Sequence, residues 1–121
     1  MYCCYGVLLA KSNYRLCDES PEAWQYGPVF PRTLNRLKAQ TPQSFKRDLG
    51  AENMGFNKEI VEDIDNTLRF FGKFSANQLS MWSHTHGSPW ARASNDGQDL
   101  YGQIDDASIR AYFKDKVIGS F

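Results

Sequence analysis

Apolar residues run almost unbroken through the first ten positions, MYCCYGVLLA, and the run ends at Lys11. A stretch of that length with no polar face predicts a helix over residues 1–12 that is buried all round. Tyr14, Leu16 and Trp24 follow, separated by turn residues, and predict a small hairpin or extended pair near residues 14–25. Gly27-Pro28 interrupts the chain. Pro31 suits the first position of a helix, where its missing N–H has no partner to lose, and that helix is expected to reach about Lys38 with Leu34 and Leu37 on one face. Residues 39–56 carry Pro42, Gly50 and Gly55 among mixed charges and read as a loop.

The second half has the clearer periodicity. In NKEIVEDIDNTLRFFG, Ile60, Ile64, Leu68 and Phe71 fall three or four apart and predict one buried stripe, with Asn57 as cap and Gly72 as stop. The carboxylates Glu59, Glu62, Asp63 and Asp65 then read as a solvated face near the positive end of the helix dipole. Ser75 and Gln78 have the capping-box spacing and open a helix whose apolar face holds Leu79 and Trp82. Gly87 and Pro89 end it. Asp105 is the expected N-cap of a last helix, between Ile104 and Ile109 as a hydrophobic staple, with Tyr112 and Phe113 facing the core. The pattern predicts a mostly α fold, a compact bundle of four to five helices with one small extended pair.

Composition narrows the function classes. The 121 residues suit one domain with a modest core. Fourteen basic residues balance fourteen acidic ones, so no global field draws nucleic acid or anionic lipid. Arg32, Arg36 and Lys38 with FKRDLG form the one basic patch, and the helix after Gly72-Lys73-Phe74 carries no Lys or Arg with which to read a groove. Three cysteines without CxxC spacing fit reduced thiols in a cytoplasmic protein. The apolar start is too short to span a membrane and lacks a signal-peptide pattern. No GxSxG, GxxxxGK[ST] or GxGxxG occurs, so no catalytic residues are assigned and no enzyme is expected. His84 and His86 read as residues of a helix C-terminus. A zinc site would need two further ligands, and no metal or cofactor is assigned.

A surplus of aromatics remains, and two dense motifs account for much of it. EAWQYGPVFP resembles the EAWxxGPVxP signature of the Panacea domain, the family of SocA-like antitoxins and phage-associated GepA proteins. Its matching residues are Trp24, Gly27, Pro28, Val29 and Pro31, with Tyr26 inside the signature. LSMWSHTHGSPW is similar to the family's LSxLTHxxGSPW at Leu79, Ser80, His84, Gly87, Ser88, Pro89 and Trp90. Gly6 and Leu9-Ala10, then Leu16 and Asp18-Glu19, match the YYAQGxxLA and PLFDE segments in order, and IDDASIRAYF resembles the closing helix.

The resemblance implies a single Panacea-like domain over residues 1–121, shortened by the helix that usually precedes YYAQG. It implies an antitoxin that binds and neutralises a protein toxin, with delivery of the toxin to a protease as a further route. The alternative is a phage or prophage regulatory or counter-defence protein that binds a host factor, with a metal-dependent enzyme third. Tyr26, Phe30, Trp82 and Trp90 are the expected partner-binding anchors, because tryptophan and tyrosine concentrate binding energy at interfaces. The apolar N-terminal region is expected to leave a groove that a partner or a second copy would fill. Trp24 is expected to pack the extended pair onto the helices near Trp90.

Overall fold

A computed structural model describes residues 1–39 and 58–118. Among these residues, six helices and one two-stranded antiparallel sheet make a mostly α fold. In chain order they are α1 (Tyr2–Ser12), β1 (Glu22–Trp24), β2 (Gly27–Val29), α2 (Pro31–Ala39), α3 (Lys58–Phe71), α4 (Ala76–Ser83), α5 (Pro89–Ala93) and α6 (Asp106–Lys116). Beyond Ala39, the loop read over 39–56 lies outside the described residues, as do the Asn57 cap and the side chain of Leu37.

Helix α1 is the centre of the fold. Every residue from Cys4 to Ala10 is buried, as a helix without a polar face requires. It packs against α6 and α3. Gly6 lets α6 approach, since a Cβ there would lie 2.4 Å from the Phe113 ring. Asn13 closes α1 in the left-handed conformation (φ 52°), and its N–H and that of Tyr14 return to the carbonyls of Leu9 and Leu8. Tyr14 therefore terminates a helix and does not begin a strand. Because α1 is sheathed by its neighbours, the expected association through an exposed N-terminal apolar region loses its surface over Cys4–Ala10. Of its apolar residues, Met1 is exposed and Tyr2 and Cys3 are half-buried.

The buried face of α3 also differs from the sequence reading. Ile60 and Phe71 are buried, but Leu68 is 57% exposed, and Asp63 and Thr67 fill the interior positions between them. Asp63 is thus no solvated carboxylate. Lys11 of α1 reaches its Oδ1 at 2.6 Å, and the Thr67 hydroxyl donates to the Asp63 carbonyl at 2.6 Å. An unpaired carboxylate would be costly there, and the lysine makes the position tolerable.

The hairpin sits later than the pattern suggested, at residues 22–29, with Gly27 and Pro28 inside its second strand. Ala23 pairs opposite Pro28. The Ala23 N–H donates to the Gly102 carbonyl and its carbonyl accepts from the Tyr101 N–H, at 2.9 and 2.8 Å. Both backbone groups of Ala23 therefore point away from β2, so Pro28 has no donor to supply at that pair.

The caps follow the sequence closely. Ser75 and Gln78 form the full capping box of α4. The Asp105 carboxylate accepts from the Ser108 N–H at 2.7 Å, between the fully buried Ile104 and Ile109. Glu19 caps α2 from outside the helix, accepting from the backbone N–H groups of Arg32 and Thr33. Arg32 also donates to the Asp18 carbonyl. One member of the basic patch is thereby engaged in holding the chain.

Candidate partner-binding site

The two sequence motifs meet in space at the tip of the hairpin. Gln25 and Tyr26 form its turn, and Gly27 follows with φ 132°, where a Cβ would stand 2.9 Å from the Ser83 hydroxyl. The turn carries three consecutive main-chain carbonyls, and a different side chain donates to each. The Trp90 indole N–H reaches Trp24 O at 2.7 Å, His84 Nε2 reaches Gln25 O at 2.8 Å, and the Ser80 hydroxyl reaches Tyr26 O at 2.7 Å.

Each donor is set by its own local structure. Ser80 and His84 lie one turn apart at the end of α4, so they share a face. Gly87 (φ 81°) reverses the chain after α4, Ser88 caps α5 through the Ala91 N–H, and Pro89 takes the first helical position. Trp90 is thereby fixed in the interior with its N–H directed at β1. The His84 ring lies against the Trp90 ring with centroids 3.9 Å apart. Its Nδ1 stands 2.5 Å from the Ser80 carbonyl. Both histidine nitrogens thus face carbonyl oxygens, which only accept, and the ring is occupied by the backbone. His86 points outward, with Asp96 as its neighbour at 3.7 Å. Among the described residues no three His, Cys, Asp or Glu side chains gather where they could hold a metal ion.

Held this way, Tyr26 is 79% exposed. It stands on the rim of a groove of about 400 Å³ between β2, α2, α4 and the first turn of α1. Met1, Phe30, Leu34, Leu79 and Trp82 contribute apolar surface, and among the described residues no Asp, Glu, Lys or Arg side chain lines it. The polar side chains that do are neutral. Burial pushes the Cys3 thiol up to about 11 and raises the Tyr2 hydroxyl well above its ordinary value. A protonated thiol is a poor nucleophile. Such a surface is suited to receiving apolar side chains.

The structure separates the four expected anchors. Tyr26 is a surface residue. Trp82 is half-buried and joins four helices, with ring centroids 6.4 Å from Tyr2, 5.3 Å from Phe71 and 5.9 Å from Phe113. Phe30 and Trp90 are buried, Phe30 against the Tyr5 ring, and neither can serve as an exposed anchor. For Trp90 the cause is the hairpin carbonyl that takes its indole N–H. Trp24 does lie beside Trp90, as expected, but the contact runs through its backbone. Its own ring turns outward to Tyr101. Tyr101, exposed and in the left-handed region at φ 72°, belongs to the aromatic surplus of the sequence but not to the four expected anchors.

Both motifs fall within the stretch that a family model matches. A family model described as "Antitoxin SocA-like, Panacea domain" matches residues 1–91. The chain is similar to Antitoxin SocA of Caulobacter vibrioides (strain NA1000 / CB15N), with 29% identity over 105 residues. That alignment covers 78% of this chain and 56% of the relative, so the chain matches little more than half of that protein's length. No solved structure matches. Among the described residues no helix is long and apolar enough to cross a membrane. With the family model matching three quarters of its length, this chain belongs to the antitoxin SocA-like, Panacea domain family.

Proposed function

We propose that this protein is an antitoxin that binds a protein toxin directly and neutralises it in the cytoplasm, without catalysing a reaction. The family match over residues 1–91 supports the role. The observation that carries the binding face is Tyr26, an exposed aromatic held beside an apolar groove. Three hydrogen bonds pin the turn beneath it. Little conformational freedom is then lost when a partner docks, which favours affinity. Tyr26 supplies the rim anchor, and Phe30, Leu79 and Trp82 supply apolar wall. The signature residues Gly27, Pro28, Ser88, Pro89 and Trp90 act by shaping and holding the turn. Passing the bound toxin to a protease is a further step open to such a binder.

The test is co-expression with the products of adjacent genes. The reading expects one product to arrest growth, this chain to relieve the arrest, and the two to co-purify. Tyr26→Ala should weaken both relief and co-purification while leaving the thermal midpoint unchanged. Relief that persists without binding would sink the reading, as would an absence of any toxic neighbour. Toxin half-life with and without this chain separates simple sequestration from delivery to a protease.

A further inference from the structure

The outer face of the hairpin carries a second aromatic group, apart from the groove. Glu22 and Trp24 flank the buried Ala23 on β1, so their side chains share the face turned away from the core. There the Tyr101 ring meets the Trp24 ring edge-on, with centroids 5.6 Å apart and planes at 72°. Tyr101 is 62% exposed. The Trp24 indole N–H donates to the Glu22 carboxylate at 3.0 Å, which places a negative charge at the edge of the aromatic pair. The backbone keeps Tyr101 in place through its N–H to the Ala23 carbonyl, although φ 72° is a conformation that suits Gly or Asn far better than a bulky aromatic.

Charge defines what this face would accept. Among the described residues no Lys or Arg pairs with Glu22. Of the four aspartates in residues 95–106, Asp106 is paired with Arg15 and Asp96 faces His86, so Glu22 is the carboxylate that defines this face. The half-exposed Trp24 ring and the exposed Tyr101 ring, with the Glu22 carboxylate at their edge, complement a cation. A planar guanidinium can stack on a ring while donating to the carboxylate, which an ammonium cannot do in the same way.

We propose that Trp24, Tyr101 and Glu22 form a docking point for an arginine side chain on the protein partner. The inference rests on the reading that this chain binds a protein. Its direct test needs no partner, so the two can fail separately. Tyr101 lies beyond the residues 1–91 matched by the family model, and the contact would contribute to this chain's own choice of partner.

The test follows the three tryptophan indole N–H signals of the ¹⁵N-labelled full chain during titration with acetyl-arginine amide. Acetyl-lysine amide and the neutral acetyl-glutamine amide serve as comparisons. Trp24→Phe assigns the Trp24 signal. That signal should move saturably with the arginine compound and stay still with the glutamine compound. The lysine compound should bind more weakly by about threefold or more. Tyr101→Asn relieves the strained backbone and should keep the fold, yet it should weaken the arginine response by about threefold or more, as should Glu22→Gln. A Trp24 signal that ignores the arginine compound overturns the proposal. So does equal movement with the lysine or glutamine compound, or an undiminished response in Tyr101→Asn.

Discussion

The indole N–H of Trp90 donates to the main-chain carbonyl of Trp24 at 2.7 Å across 66 positions of sequence. The bond joins the two family motifs, and the ring that makes it is buried. Trp90→Phe removes the donor and strands the carbonyl, so it should destabilise the protein by about 1–3 kcal/mol in chemical denaturation. Trp24→Phe loses only a half-exposed bond to Glu22 and should cost less than about 1 kcal/mol. Equal costs for the two would show that the bond does not join the motifs.

Lys11 and Asp63 form an ion pair with one partner interior and the other at the surface, their side chains 38% and 5% exposed. Among the described residues Asp63 Oδ2 has no hydrogen-bond partner, and the lysine is the main compensation for the buried charge. Lys11→Ala should cost about 2–3 kcal/mol, at or below the usual range for breaking a buried pair because solvent reaches the lysine end. The double variant Lys11→Met with Asp63→Leu should recover most of that loss, since no charge is then left to bury. Urea unfolding of the wild type and the two variants measures the difference.

Stability in acid should register the cap of the last helix. The Ser108 backbone N–H bonded to the Asp105 carboxylate holds its pKa below the ordinary 3.8. A depressed value in the folded state means that the stabilisation is present above the ordinary value and is lost as pH falls through the folded one. Asp105→Ala should therefore cost about 1 kcal/mol at pH 7, the usual worth of an N-cap. The gap to the wild type should shrink below pH 4 as the carboxylate takes up a proton. A gap that stays constant to pH 2 would remove the charged cap from the account.

Thiol chemistry should be slow at neutral pH. Burial moves Cys3 from its ordinary 9.0 to about 11 and raises Cys4 and Cys17 as well. At pH 8 only about 0.1% of Cys3 is thiolate, so iodoacetamide should label the native protein far more slowly than free cysteine. A raised folded value gives stability that is fully present below pH 9 and lost as pH climbs through 11. Tyr5, pushed up to about 12 chiefly by burial and then by its bond to Asp106, acts in the same direction. The thermal midpoint should fall between pH 9 and 12, and rapid labelling of native Cys3 at pH 8 would contradict the burial argument.

Much of the local structure was legible in the chain. The unbroken apolar start required a helix with neighbours on every side. The spacings Ser75–Gln78 and Ile104–Asp105–Ile109 placed two caps that recur in the structure. Pro31 opened its helix as its missing N–H allows. These features depend on interactions within one or two turns, which residue types largely decide. The stripe on α3 was misread because periodicity ranks residues by polarity. Asp63 and Thr67 are inside for a reason held elsewhere, the amine of Lys11 and the packing of α1. The hairpin was placed too early because the pairing of Ala23 with residues 101–102, which frees Pro28 from donating, is not a local property.

The sequence by itself determined the helical class, the caps, the chain reversals at Gly27 and Gly87, and the family, since each depends on short-range sterics or on motifs readable in order. Tertiary structure decided which aromatic serves which purpose. Tyr26 and Trp90 belong to equally prominent motifs. One is exposed and the other buried because three side chains from α4 and α5 converge on three carbonyls of a single turn. The turn carbonyls take their donors from residues more than fifty positions away, and that choice is made across the whole chain.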